Sequence, residues 1–155
     1  MVIFDLDNCL ADDQWRLPYI DWSQQNVDLR YQNYHSLCGF DRCAGLTDED
    51  RKMLIRHEGY VVFTSRPSWT RAITVEWLAR ARLPAPVEIC MRQQGDYSPC
   101  AELKGRMLVR LIGKLGIPAY AWYGFDDQPA VIEAYRALGA EGKVRAIHSG
   151  QPIII

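Results

Sequence analysis

Two aspartates, Asp5 and Asp7, follow the apolar run that opens the chain, in the sequence VIFDLD. Side chains alternate along a strand, so both carboxylates are predicted on the same side. Carboxylates this close repel each other unless a cation or hydrogen-bond donors offset their charge. The pair therefore indicates either a solvated strand end or part of a site for a divalent cation.

A segment with two hydroxyls and a guanidinium, Thr64-Ser65-Arg66, follows a second apolar run and precedes Pro67. Proline is tolerated in the first turn of a helix, so a helix is predicted to begin there. Phosphate binds at such a start through backbone N–H groups and the positive end of the helix dipole. The segment fits either an ordinary capped helix or a phosphate site.

Two further features come later, Lys104 on a predicted helix and the pair Asp126 and Asp127 after another apolar run. A lone helical lysine is usually a solvated surface charge, and adjacent acids again need a cation or donors. Only the combination is informative. It places a carboxylate pair, a hydroxyl, a lysine and a second carboxylate pair at four successive strand ends.

The elements that must position these residues alternate between short apolar runs and amphipathic segments, which predicts an α/β fold with repeated βα units around a parallel sheet. Strands are predicted at residues 2–4, 60–63, 87–90, 119–123 and 144–147. Helices are predicted from Thr47 to about His57, ending before Gly59, from Pro67, over residues 100–115, and from Pro129.

Residues 12–45 fit this alternation least well, because they combine many polar residues with Trp15, Tyr19, Trp22, Tyr31 and Tyr34. We expect a small helical lid after the first strand. Ligands bind beyond the carboxyl ends of parallel strands, where such a segment would overhang the site.

Composition favours one globular domain spanning residues 1–155, because 48% hydrophobic and 24% charged residues are close to globular averages. No apolar run approaches the length of a membrane span, and no signal-peptide pattern opens the chain, so a cytoplasmic protein is expected. The five scattered cysteines are predicted to be free thiols. A net charge of −1 gives no general argument for nucleic-acid binding.

The order of these features resembles the haloacid-dehalogenase superfamily, whose four motifs match Asp5-x-Asp7, Thr64, Lys104 and Asp126-Asp127. The resemblance implies a Rossmann-like three-layer sandwich with a five-stranded, mainly parallel sheet. Asn8 and Cys9 depart from the usual glycine and threonine of the first motif.

One branch is more similar, the 3′-phosphatase domain of phage-type polynucleotide kinase. The matching segments are Arg16-Leu-Pro-Tyr19, Thr64-Ser65-Arg66, Met91-Arg92-Gln93-Gln94-Gly95-Asp96, and Asp126 to Val131 with Arg136 and Gly139. Cys100 stands where this branch carries an acid. The sequence contains no P-loop, so the kinase half is absent.

The resemblance implies a phosphatase mechanism with Asp5 as nucleophile and Asp7 as the acid and then the base. Mg²⁺ would bind to Asp5, Asp7 (through its backbone carbonyl) and Asp127. Asp126 would orient Lys104, and Thr64 and Lys104 would hold the phosphoryl oxygens. Arg16, Ser65 and Arg66 would bind the substrate. The choice between Asp126 and Asp127 as the direct metal ligand stays open.

The implied substrate is a phosphorylated nucleic-acid end or a nucleotide, with 3′-phosphates favoured because neither interval that holds a large cap in relatives is long enough here. A second hypothesis keeps the enzyme class but takes mononucleotides or other small phosphomonoesters, with Trp15, Tyr19 or Trp22 either stacking on the substrate or packing in the core. A third is a non-catalytic metal-binding module. The final Gln-Pro-Ile-Ile-Ile is predicted to extend a strand or pack as a tail.

Overall fold

The computed structural model describes residues 1–44, 46–56 and 59–148. A five-stranded sheet in the order β5-β4-β1-β6-β7 forms its centre, and every neighbouring pair in it is parallel. A separate two-stranded antiparallel ladder pairs β2 with β3. The strands are β1 Val2–Phe4, β2 Ala11–Asp12, β3 Arg42–Cys43, β4 Tyr60–Pro67, β5 Glu88–Arg92, β6 Tyr123–Asp126 and β7 Glu141–Val144.

The first three predicted sheet strands are confirmed, but the last two were placed wrongly. Residues Ala119–Ala121 form a 3-10 turn before β6, and β7 lies at Glu141–Val144 rather than at 144–147. Close packing requires a glycine in each of these strands, Gly124 in β6 and Gly142 in β7. Glycine is disfavoured in strands, so residue propensities did not place the strands here. A Cβ at Gly124 would lie 2.6 Å from the Tyr135 ring, and one at Gly142 would lie 2.9 Å from the Gly124 carbonyl oxygen.

In the described ranges, five α-helices accompany the strands: α1 Val27–Ser36, α2 Asp48–Arg56, α3 Arg71–Arg80, α4 Cys100–Leu115 and α5 Pro129–Ala137. Thr47 caps α2 as predicted, because its hydroxyl accepts from the Asp50 N–H while Asp50 accepts from the Thr47 N–H. The predicted end of this helix near His57 lies outside the described residues. The helix predicted from Pro67 is present as α3, but its predicted start was wrong, because Pro67 closes β4 and a 3-10 turn at Ser68–Thr70 leads into α3.

The core has two halves, one on each face of the sheet. Val2 and Phe4 pack with Trp77 and Leu78 of α3, whereas Ile3 faces the side covered by α4 and α5. The period-two alternation of β1 thus assigns successive residues to opposite halves. This arrangement is the predicted three-layer sandwich.

Residues 13–44, called the insert below, contain α1 and 3-10 turns at Gln14–Tyr19 and Cys38–Phe40. Tyr31 and Tyr34 are buried in a small core of their own with Ile20. Trp15, Tyr19 and Trp22 are instead 41%, 49% and 66% exposed, so the alternative in which they pack in the core is wrong. The insert is helical, as predicted.

All five cysteines are free, which confirms the expected thiols. No helix in the part of the chain that the structure describes is long and apolar enough to cross a bilayer.

Candidate active site

The predicted site residues meet at the carboxyl edge of the sheet. β1 lies between β4 and β6, so Asp5 after β1, Thr64 within β4 and Asp126 at the end of β6 are neighbours. The Asp5 N–H donates to the Phe125 carbonyl oxygen at 3.0 Å, which continues the β1–β6 ladder into the site. Lys104 reaches the same edge from α4, where it is 1% exposed.

One group of charges, called the carboxylate cluster, consists of Asp5, Asp126, Asp127 and Lys104. The three acids each place one carboxylate oxygen within 4.8 Å of the others. The Lys104 ammonium lies 2.7 Å from Asp5 Oδ1 and 2.7 Å from Asp126 Oδ2. Lys104 therefore holds two of the acids in place while all three oxygens remain together.

The carboxylate cluster carries more negative charge than its lysine neutralises. Burial, with added repulsion from Asp126 and Asp127, raises the pKa of Asp5 well above its usual value despite Lys104. Burial likewise raises the pKa of Asp127 to about 6. Burial alone would lower the pKa of Lys104, but Asp126 and Asp5 outweigh it and raise that pKa, so the ammonium stays charged. Clustered carboxylate oxygens with unbalanced charge fit a hard divalent cation such as Mg²⁺.

A second group, called the arginine cluster, consists of Asp7, Arg16, Asp41 and Arg66. Asp7 Oδ1 accepts from Arg16 Nη2 at 2.8 Å and from Arg66 Nη2 at 2.5 Å. Asp41 accepts from Arg16 through both oxygens, at 2.6 and 2.7 Å, and from Arg66 Nη2 at 2.8 Å. Both arginine side chains are fully buried. Two acids and two arginines thus balance each other.

The two arginines determine the ionisation of Asp7. Burial by itself would raise the pKa of Asp7, but Arg66 and Arg16 outweigh it and hold that pKa well below its usual range. The Asp7 side chain consequently faces the arginines and is not one of the three clustered oxygens. Its predicted contact with a metal, through the backbone carbonyl, stays a prediction.

Asp41 was missed by the sequence reasoning. It lies in the insert, 25 residues before Arg66, and its carbonyl also accepts from the Trp77 indole N–H at 2.8 Å. Its own pKa is raised to about 6, because burial outweighs the hydrogen bonds and charge of Arg16. The charges of the predicted site could have indicated this second acid. Arg16 and Arg66 together carry two positive charges, and Asp7 alone can neutralise only one of them.

The turn after Asp7 is organised by Asn8, whose φ of 57° is left-handed. Its amide nitrogen donates to Asp127 Oδ2 at 3.1 Å and to the His148 carbonyl oxygen at 3.2 Å. Its amide oxygen accepts from the His148 N–H, and its backbone carbonyl accepts from the Ile147 N–H. Asn8 therefore ties the first acid motif to Asp127 and to the segment after β7.

A cavity of about 620 Å³ opens at this edge. Its lining includes Asp5, Asp7, Asp127 and Ser65, which are called its inner end below. Residues of α1 and of the segment 92–98, called its two walls, also line it. Thr64, Lys104 and Asp126 lie behind this lining, as do Arg16 and Arg66. The structure thus places the two arginines behind Asp7 rather than on the cavity wall. Trp15, Tyr19 and Trp22 also lie outside the lining.

No protein-family model and no curated protein sequence matches the chain. Among solved structures, it is similar to a chain of the Pnkp1/Rnl/Hen1 RNA repair complex, with 22% identity and a TM-score of 0.68 over 92% of this chain and 41% of that one. It is also similar to a family IA, variant 3 HAD hydrolase from Entamoeba histolytica, with 10% identity and a TM-score of 0.66 over 91% and 81% of the two chains.

A third similar structure is a HAD family enzyme from Bacteroides thetaiotaomicron in complex with magnesium and inorganic phosphate, with 11% identity and a TM-score of 0.51 over 99% and 96% of the chains. The fold of this protein is therefore that of the haloacid dehalogenases. The predicted resemblance is confirmed at the level of the fold, and the chain spans less than half the length of the RNA repair chain that it matches.

Proposed function

We propose that the protein is a Mg²⁺-dependent phosphatase that removes phosphate from nucleic-acid or nucleotide 3′ ends through a phosphorylated Asp5. The observation that carries this proposal is the carboxylate cluster, in which three acidic oxygens lie within 4.8 Å of one another beside a cavity. Asp5 and Asp127 reach the cavity, and Lys104 contacts Asp5 from behind. The five free thiols fit the expected cytoplasmic location.

Asp5 begins the reaction by attacking the phosphorus atom. A bond forms between its free oxygen and phosphorus while the bond to the leaving oxygen breaks. A metal held by Asp5, Asp127 and the Asp7 carbonyl would supply charge neutralisation of the phosphoryl oxygens. Lys104, positioned by Asp126, and Thr64 hold those oxygens, and Ser65 lies on the cavity wall beside them.

Asp7 acts as the general acid and then as the general base. It gives a proton to the leaving oxygen and then takes one from the water that hydrolyses the phosphorylated Asp5. Protonation of Asp7 requires that Arg16 and Arg66 pull less strongly on its carboxylate. An incoming phosphate would favour this through its charge, because a nearby negative charge raises the pKa of a carboxylate. Both arginine side chains are fully buried behind Asp7, so they act on the phosphate through Asp7.

Two substrate classes follow from different observations. The fold likeness to a chain of an RNA repair complex supports a nucleic-acid end. The lining of the cavity supports a mononucleotide or another small phosphomonoester, because its single arginine, Arg92, already donates to the carbonyl oxygens of Ser65, Asp96 and Ser98. A non-catalytic metal-binding module is the remaining hypothesis.

Release of inorganic phosphate with and without Mg²⁺ tests the proposal. The substrates are 3′- and 5′-phosphorylated oligonucleotides, 3′- and 5′-mononucleotides and glycerol 2-phosphate. Wild-type protein should release phosphate only with Mg²⁺, and Asp5→Asn should not. Asp48→Asn, which changes an exposed acid on α2, is the matched control. Absence of Mg²⁺-dependent release from every substrate would leave the binding-module hypothesis.

A further inference from the structure

The cavity extends well beyond the charged residues at its inner end. A volume of about 620 Å³ lies within the range for a complete small-molecule ligand, so a phosphate group leaves most of it empty. Its lining also includes Val27 and Leu29 of α1, Trp69 and Tyr97, which are called its outer part below. Two acids, Asp28 and Asp96, line the cavity beside them, so the outer part combines apolar and aromatic surface with negative charge.

Trp69 and Tyr97 are held at the cavity with their rings available. Trp69 is 50% exposed, and its 3-10 turn is closed by a hydrogen bond from Thr70 Oγ1 to the Pro67 carbonyl oxygen at 2.8 Å. Tyr97 is 54% exposed, and its hydroxyl donates to Asp28 Oδ2 at 2.8 Å. This bond links the two walls of the cavity. The bond from Tyr97 fixes its ring, while the turn fixes the backbone that carries Trp69, so both rings offer stacking surface at little cost in side-chain entropy.

Amide side chains line the cavity as well, among them Gln32, Gln93 and Gln94. An amide both donates and accepts hydrogen bonds, so it can match the polar edge of a base without needing charge. Arg92 is the only lysine or arginine among the described residues that line the cavity, and carbonyl oxygens already occupy its donors. This lining is able to stack on a flat, uncharged ring and to form hydrogen bonds with polar groups at the edge of that ring. It provides few free positive charges that could bind several successive phosphates.

We infer that the outer cavity is a nucleobase subsite, in which Trp69 and Tyr97 stack on the base of the nucleotide that carries the scissile phosphate. This inference rests on the proposed phosphatase function and narrows its substrate to a single terminal nucleotide. Selectivity then comes from one base, and phosphates further along a strand contribute little.

The first test compares adenosine 3′-monophosphate with glycerol 2-phosphate, which has no ring. Trp69→Ala and Tyr97→Ala should each lower the ratio of kcat/KM for the nucleotide to that for glycerol phosphate by about tenfold, the size expected for loss of one base stack. Tyr97→Phe keeps the ring and should retain most of the ratio. Tyr120→Ala, which removes an 80% exposed ring outside the cavity, is the control. An unchanged ratio in both alanine variants overturns the subsite.

The second test needs no catalysis. Adenosine, which has no phosphate, is titrated into wild-type protein while the tryptophan indole N–H signals are followed by NMR, with Trp69→Phe to assign the signal. The Trp69 signal should shift with adenosine and not with ribose. No shift, or an equal shift with ribose, overturns the subsite even if phosphate is released. A selective shift in a protein that hydrolyses nothing supports the subsite and rejects the phosphatase.

Discussion

The carboxylate cluster and the arginine cluster lie side by side beneath one cavity, yet their charges are balanced differently. Three carboxylates share one ammonium in the first, which leaves two negative charges uncompensated when all ionise. Two carboxylates face two guanidiniums in the second, so that no charge is left over. The first cluster is therefore able to accept the charge of a cation, whereas the second has no excess charge to neutralise.

This difference separates residues that we propose to bind the metal and the substrate from residues that stabilise the fold. Asp41 and Arg16 belong to the insert, while Asp7 and Arg66 belong to the sheet, so the arginine cluster fastens the insert to the edge of the sheet. Removing one member of a buried ion network costs more than forming it gains, because the remaining charge is left unpaired. Substitutions in the first cluster should therefore change chemistry, and substitutions of Arg16, Asp41 and Arg66 in the second should change stability. Asp7 belongs to the second cluster but also faces the cavity, so its substitution should change chemistry as well.

Asp5→Asn should cause the largest effect, a loss of kcat of at least about 10³-fold, because the attacking anion is removed. Asp7→Asn should also abolish turnover, since the proton donor is lost. Steady-state phosphate release measures both, with Asp48→Asn as control. Mass spectrometry after acid quenching should detect a phosphorylated wild-type chain and none in Asp5→Asn. Near wild-type turnover in Asp5→Asn would contradict the covalent mechanism.

Asp41→Ala should lower the free energy of unfolding by about 3–5 kcal/mol, because Arg16 and Arg66 are left to share Asp7 alone. Urea unfolding measures this change. The matched comparison is Asp127→Ala, which removes an acid from the cluster with excess negative charge and should cost far less. Equal losses of unfolding free energy in the two variants would contradict the proposed difference between the two clusters.

Asp127→Asn should weaken Mg²⁺ binding by about tenfold or more, since one anionic oxygen ligand is lost. Isothermal titration of Mg²⁺ into wild-type and variant protein checks it. If the affinity does not change, the direct ligand is Asp126, which the same titration of Asp126→Asn would reveal.

The stability of the metal-free protein should depend on pH through Asp127. Its folded pKa is raised from 3.8 to about 6, so the folded state binds more protons than the unfolded state between these values. This contribution stabilises the protein below about pH 4 and is lost as the pH rises through about 6. The stability gained in Asp127→Asn relative to wild type should therefore grow by up to about 3 kcal/mol over that window and then level off. Urea unfolding of both proteins at several pH values measures it, and a constant difference would contradict the raised pKa.

Cys9→Thr should have the smallest effect and retain activity. The thiol is completely buried behind the acids, and burial raises its pKa well above the usual value, so it stays neutral. Phosphate release by this variant is the measurement. Complete loss of activity would reopen a thiol mechanism.

Local sequence was sufficient for the carboxylate cluster, because Asp5 and Asp126 directly follow apolar runs whose strands end at one edge. It was insufficient for Asp41, whose role depends on a contact with Arg66 across 25 residues. The strands β6 and β7 were displaced because Gly124 and Gly142 are selected by close packing, which propensity does not include. The sequence also did not predict the outer part of the cavity, because Trp69 and Tyr97 are far apart in the sequence and only the fold brings both to the cavity. The aromatic residues that the sequence suggested for stacking, Trp15, Tyr19 and Trp22, lie outside the cavity lining.

The hydrogen bonds of Asn8 constrain which residues can replace it. A glycine adopts a φ of 57° freely and keeps the backbone bond to Ile147, but it has no amide with which to bind His148. Asparagine tolerates the same backbone and exchanges two hydrogen bonds with His148, 140 residues away along the chain. Both of these bonds end on backbone groups of His148, so they depend on the amide at position 8 and not on the side chain at position 148.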